Sequence, residues 1–232
     1  MIHIFEVSKL KLINNQKITV KIKVSILLLV LISTFVVSCN TSPCAESELV
    51  DLSFYNSRIV LDIRYATKNN YFQEIFYPVP RCFVRRIVAL KLDSIQTELE
   101  TGNLGLKIFD GYRPLSVTRK MWEILPDERY VANPQKGSRH NRGVAVDVTL
   151  VDLTGRELLM PTAFDEFTER AAHHYQDLPE DILKNRATLK NIMEKYGFKA
   201  LEDEWWHYDL TNYQQYPILD IDFETIAKQT KP

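Results

Sequence analysis

The chain has no excess of positive charge, no apolar run of membrane-spanning length and few cysteines, and each shortage narrows the function. Its 29 Lys and Arg residues are balanced by 30 Asp and Glu. Lys9, Lys11, Lys17, Lys21, Lys23 and the single acid Glu6 fall in the first 38 residues, which read as a leader; without them 24 basic residues face 29 acidic ones, a net charge of −5. That balance argues against nucleic acid as a partner. The longest apolar stretch, Val24 to Val37, falls short of the about 20 residues a membrane span needs. From Leu49 onward the sequence also lacks internal repeats, low-complexity tracts and a second linker, so one domain of about 190 residues is expected, enough to bury a core.

What is present begins with that leader. Lys17, Lys21 and Lys23 precede the apolar run, which ends in Val36-Val37-Ser38-Cys39. A basic stretch, a short apolar core and a small residue before the cut make a secretory signal over residues 1–38. A cysteine directly after the small residue resembles a bacterial lipobox, with Cys39 as the lipidated N-terminus of an exported lipoprotein held on the periplasmic side of the cell envelope. An ordinary signal peptide or uncleaved anchor with an incidental cysteine is the alternative. The long segment before Lys21 is consistent with an upstream start codon. Residues 39–48, polar and rich in breakers, form a tether to a domain at 49–232. With Cys39 lipidated, only Cys44 and Cys82 remain in an oxidising compartment, and Cys44 lies in the tether, which leaves their pairing open.

The periodicity predicts an α+β domain: a small, mostly antiparallel sheet with helices packed on it. Ile87, Leu92, Ile95 and Leu99 form a helical stripe closed by Gly102-Asn103. Leu106 to Phe109 is a short strand that runs into Asp110-Gly111-Tyr112-Arg113-Pro114. Val117, Met121 and Ile124 mark a second helix stopping before Pro126, and residues 126–138 form a loop. Val144, Val146, Val148 and Leu150 alternate with Ala145, Asp147 and Thr149, so Asp147 faces away from the valine layer. Leu153-Thr154-Gly155-Arg156 is a turn, Phe164, Phe167 and Ala171 suggest a helical turn or two, and Ile182, Leu189, Met193 and Tyr196 mark a longer helix ending at Gly197. The last predicted element is a strand at Glu204-Trp205-Trp206-His207-Tyr208.

A carboxylate in so apolar a strand is costly to bury alone, which makes Asp147 the residue to explain. His140, Asp147 and His207 are two imidazoles and a carboxylate, a set that a catalytic zinc takes with its fourth position open. Gly143 gives the backbone the freedom to fold His140 over Asp147. Glu204 is placed to act as a base, but on a regular strand it points away from His207. Both serve one site only if the chain bulges or the strand starts after Glu204, and the Leu201-Glu202-Asp203-Glu204 run favours the late start. Each piece has a plainer reading: a packed or surface histidine, an Asp147–Arg142 ion pair, a core role for Trp205-Trp206, and for Arg113 a surface pair worth about 0–1 kcal/mol instead of a fixed cation for an oxyanion. His173-His174 are left out of the site, because neighbouring residues on a helix diverge.

Taken together, Ser138-x-His140-x-x-Gly143-x-Ala145-x-Asp147 and Glu204-Trp205-Trp206-His207 resemble the zinc D-alanyl-D-alanine dipeptidases, the VanX-type metallopeptidases. So do Arg64-Tyr65-Ala66-Thr67-x-x-Asn70-Tyr71-Phe72, Asp110 to Pro114, Phe164-Asp165 ahead of Glu169-Arg170 and His173-His174, and Met193-Glu194-x-x-Gly197-Phe198, in matching order over roughly residues 50 to 212. The resemblance implies one Zn²⁺ per chain on His140, Asp147 and His207, with the site on the sheet face. It implies Glu204 as general base and proton donor, Arg113 as the oxyanion cation, Tyr65, Ser138 and Asp165 as the grip on a dipeptide's free ammonium, and Asp110 as support for Arg113. The segment around His140, a proline at Pro161 and the lipobox-type leader depart from the pattern. Two rivals remain open: a D,D-carboxypeptidase acting on peptidoglycan stems, against which Asp165 and Tyr65 argue, and a non-catalytic zinc- or peptidoglycan-binding lipoprotein, against which Glu204 and Arg113 argue.

Overall fold

Strands form where β-branched and aromatic residues cluster, and helices where apolar residues recur at three and four. The computed structural model describes residues 47–230. The leader, the lipobox cysteine and Cys44 lie outside the described residues. In chain order come β1 (Leu49–Asp51), α1 (Leu52–Tyr55), β2 (Val60–Leu61), β3 (Phe83–Arg85), α2 (Arg86–Thr101), β4 (Leu104–Asp110), α3 (Leu115–Ile124), β5 (Ala145–Asp152), α4 (Glu180–Lys195), β6 (Phe198–Leu201), β7 (Glu204–Leu210) and α5 (Phe223–Gln229). β1 and β3 pair antiparallel on their own; the main sheet has the order β2-β4-β5-β7-β6, with only β2 parallel to its neighbour. The architecture is the expected α+β one, with a mostly antiparallel sheet. Among the described residues no helix is long and apolar enough to cross a membrane.

α2 buries Val88, Leu92, Ile95 and Leu99, and the Gly102 N–H donates to the Leu99 carbonyl at its end. α4 opens on Glu180 and Asp181 and closes on Lys195, charges that complement the helix dipole, and Gly197 follows at φ +86°. α3 spans its predicted residues, but Ile124 is exposed at its end. Phe164 and Phe167 are not helical. The regular turn there is the 3-10 turn Glu169–Ala171; the two rings instead pack on either side of Trp206, Phe164 reaching on to Phe109 and Phe167 to Tyr130. β1, α1, β2, β3, β6 and α5 carry no predicted counterpart. α5 docks Phe223 against Tyr77, Phe83 and Tyr112 at centroid distances of 4.6, 4.9 and 6.4 Å. Cys82 is a free, buried thiol.

β5 is central, and Ala145 to Val151 are all buried, so Asp147 is withdrawn from bulk solvent. Two register shifts decide what that is. On β4, Ile108 faces Val148 but Asp110, not Phe109, faces Asp147. On the other side Asp147 faces His207 directly. The second shift lies between β6 and β7, where Ala200 pairs with Tyr208 and the next residue, Leu201, pairs with Glu204. Trp205, Trp206 and His207 are therefore accommodated in an irregularity, and β7 begins at Glu204 itself. This corrects the expected late strand start: the bulge, not a shortened strand, reconciles Glu204 with His207.

On the opposite face, His173 is 7% exposed and, among the described residues, its Nε2 has no hydrogen-bond partner, nor does the nearby Tyr208 hydroxyl. Burial, reinforced by the positive charges of Lys190 and Arg186, lowers the His173 pKa from 6.5 to about 4. The unfolded chain then binds the proton that the folded one refuses, so stability is fully present above pH 6.5 and falls as the pH drops toward 4. Urea unfolding of His173→Gln is expected to show a shallower loss over this window than the wild type, by at most about 3 kcal/mol; equal slopes would show that His173 is not the acid-labile group.

Candidate active site

The 3-10 turn His140–Arg142 ends on Gly143 in the left-handed region, φ +71°, where a Cβ would meet Leu49 Cδ2 at 2.7 Å. That turn swings His140 back over β5. His140 Nε2 then lies 3.4 Å from Asp147 Oδ1 and 3.2 Å from His207 Nδ1, and His207 Nδ1 lies 3.0 Å from Asp147 Oδ1. Arg142 does not pair with Asp147; its guanidinium donates to the Tyr216 carbonyl. Overriding the desolvation that would raise it, His140 and His207 hold the Asp147 carboxyl well below the usual range.

The outward nitrogens show what the inward ones are for. His140 Nδ1 lies 2.7 Å from the Gly111 carbonyl, an acceptor only, so it carries the proton and Nε2 presents a lone pair. His207 Nε2 donates to Asp209 Oδ1 at 2.9 Å, which leaves Nδ1 as its inward lone pair. Two acceptor nitrogens and a carboxylate oxygen thus converge, with all three ligand atoms within 4.8 Å of one another. Two inward lone pairs beside a carboxylate repel unless a proton or a metal cation sits between them, so the donor set fits a metal ion. Charge agrees: even without Asp165, the carboxyls of Asp110, Asp147, Glu204 and Asp209 outnumber the paired Arg113 and Arg139.

Asp209 is a functional residue that sequence reasoning missed. Its other oxygen lies 3.0 Å from Arg139 Nε, which ties the His140 turn to the strand bearing His207. The signal was present, because a carboxylate two residues after a ligand histidine on a strand shares its face. Tyr77 was also missed: its hydroxyl donates to Asp110 Oδ1 at 2.7 Å, and nothing in its local sequence announces this.

Asp110, fully buried, also accepts the Gly111 N–H at 2.9 Å and, on Oδ2, Arg113 Nη2 and Nε at 2.7 and 3.2 Å. Arg113 lies over the Tyr65 ring, 4.8 Å from its centroid. Desolvation works against the guanidinium, but Asp110 keeps it charged. Glu204 Oε2 approaches His207 Nδ1 to 4.0 Å, and desolvation raises its pKa. The Tyr65 hydroxyl donates to Asp165 at 3.0 and 3.2 Å. Asp165 is buried at φ +61°, and burial, with the Asp147 charge, pushes its pKa up to about 8. A carboxyl so destabilised as an anion is a seat for a cation. The structure therefore brings together His140, Asp147, His207 and Glu204, pairs Arg113 with Asp110, and pairs Tyr65 with Asp165. Ser138 is engaged elsewhere: its Oγ accepts the Asn141 N–H at 3.2 Å, while the Asn141 side chain donates to the Arg113 carbonyl at 2.8 Å.

These residues occur in a chain with clear relatives. The D-ala-D-ala dipeptidase family model matches residues 45–226. The D-alanyl-D-alanine dipeptidase of Escherichia coli (strain K12) is 33% identical over 177 residues, covering 76% of this chain and 92% of that one. Those of Enterococcus faecalis (strain ATCC 700802 / V583) and Enterococcus faecium are 33% and 34% identical, covering 67% and 70% of this chain and 87% and 90% of theirs. The chain belongs to the D-ala-D-ala dipeptidase family of metallopeptidases.

Proposed function

We propose that the protein is a zinc dipeptidase that hydrolyses D-alanyl-D-alanine to two D-alanines. The observation that carries this beyond family membership is Asp165, a buried carboxylate on the Tyr65 hydroxyl, beside Asp147, Glu204 and Arg113. It is a seat for a free ammonium at the end of a very short peptide. A D,D-carboxypeptidase acting on stem peptides has no use for it.

His140, Asp147 and His207 would hold the metal, and three N/O ligands suit zinc with an open position. Bound there, zinc supplies a Lewis acid and lowers the pKa of a bound water toward about 7. Glu204, raised in pKa by desolvation and next to His207, takes the proton of the attacking water and hands it to the departing amine. Arg113, clamped through Nε and Nη2 by Asp110, turns its remaining guanidinium edge to the oxygen that gains negative charge. Asp165 and Tyr65 orient the substrate by its amine, while Ser138 supports the His140 turn by accepting the Asn141 N–H. The apolar run and Cys39 support an exported lipoprotein, which on the envelope side would take dipeptide released from the wall.

The zinc-loaded protein is expected to cleave D-Ala-D-Ala and to leave its N-acetylated form and a stem pentapeptide largely intact; comparable rates on all three would remove the dipeptidase reading. Two variants separate chemistry from metal holding. Glu204→Gln is expected to bind zinc like the wild type while turnover falls about 10²- to 10⁴-fold. Asp209→Ala is expected to lose about 10- to 100-fold in zinc affinity in competition with a chromophoric chelator, because His207 loses the acceptor that sets its tautomer. The assignment of Asp209 fails if its affinity is unchanged.

A further inference from the structure

The segment that carries Asp165 is tacked down at three points, all of them aromatic. The Trp205 indole N–H donates to Thr162 Oγ1 at 2.9 Å. The Phe164 ring meets Tyr65 at 6.1 Å and Trp206 at 5.6 Å between centroids. Phe167 meets Trp206 at 5.9 Å, Tyr71 at 5.4 Å and Tyr130 at 5.2 Å. Tyr71 and Tyr130, from two other loops, stack on each other at 6.1 Å with their planes 14° apart. A continuous line of rings thus runs from Tyr65, the partner of Asp165, to the surface at Tyr71, which is 48% exposed.

We propose that the Tyr71–Tyr130–Phe167 clasp closes the amine end of the site and sets the limit of two residues on the substrate. This rests on the dipeptidase reading. A peptide longer by one residue at its amino end needs roughly 3.5 Å more chain beyond the Asp165 carboxyl. Phe164 and Phe167 flank Asp165 in sequence, so their rings border the segment that holds the carboxyl, and the outer pair braces Phe167 from two separate loops. Asp165 itself is held at φ +61°, a conformation that persists in a non-glycine residue only where its surroundings dictate it. The exclusion of longer peptides is then a mechanical property of three loops joined by one stacked and two edge-to-face ring contacts, separate from the charge that holds the ammonium.

The test is the ratio of kcat/KM for L-Lys-D-Ala-D-Ala to that for D-Ala-D-Ala in the zinc-loaded full chain. In Tyr71→Ala/Tyr130→Ala the ratio is expected to rise about tenfold or more, with kcat for the dipeptide near the wild-type value. Tyr71→Phe/Tyr130→Phe, which keeps both rings, is expected to keep the wild-type ratio. Phe167→Leu, a smaller change to the inner ring, is expected to raise it as well. An unchanged ratio in the alanine variant, a parallel loss on both substrates, or an equal rise in the phenylalanine variant would overturn the clasp as the length filter. Failure of the wild type to cleave D-Ala-D-Ala would instead overturn the dipeptidase reading, and it shows before any variant is compared.

Discussion

The structure turns on one row of side chains across three adjacent strands: Asp110 on β4, Asp147 on β5 and His207 on β7. Two buried carboxylates side by side would repel at a cost of several kcal/mol if left unpaired. Here each is turned to a different cation system. Asp110 spends its oxygens on Tyr77, the Gly111 amide and Arg113, while Asp147 gives one oxygen to the two imidazoles. The bulge after Ile108 is what makes this possible. In regular register Phe109 would face Asp147 and Asp110 would point to the other side of the sheet.

A second constraint follows from burying ligands in a closed sheet. With both faces of β5 covered, the histidines cannot be oriented by solvent, so protein acceptors do it: a backbone carbonyl for His140 and Asp209 for His207. Such partners cost binding energy when removed, because they select the tautomer and hold the ring. Asp209 adds a mechanical role, since through Arg139 it joins the turn carrying one histidine to the strand carrying the other. Asn141 makes the matching link from the same turn to the backbone of Arg113. The candidate metal-holding residues and the Arg113 cation are thereby held in one frame.

Much of this was legible before any coordinates. Period-two alternation set Asp147 apart from the valines, and the residue types at 140, 147 and 207 pointed to a metal without help from the fold. The roles of Tyr65 and Asp165 were not legible in that way. They came from resemblance, because a tyrosine and an aspartate a hundred residues apart carry no shared local pattern. The bulge in β7 was one of two options the sequence left open, and the less favoured one, while the bulge in β4 went unseen: register is a property of two strands, and neither β6 nor β7 alone reveals that three residues of β7 must be absorbed opposite the Ala200–Leu201 step. Tyr77 and the helix at Phe223 escaped for a related reason, as their meaning lies in a contact between the C-terminal helix and a loop near residue 77.

The same bulge explains why two tryptophans stand between the candidate base and the third ligand. A regular strand would turn residues 204 and 207 to opposite faces. Absorbing Trp205 and Trp206 restores them to one side, and both indoles remain buried at 2% and 1% exposure. Side chains of that size resist slippage, because any other register would expose large apolar surface or leave a cavity. Their outer contacts then go to Thr162, Phe164 and Phe167, on either side of Asp165. One irregularity in β7 therefore bears at once on Glu204, on His207 and on the segment that carries Asp165. A change that relaxed it would move all three together, so they form a single mechanical unit.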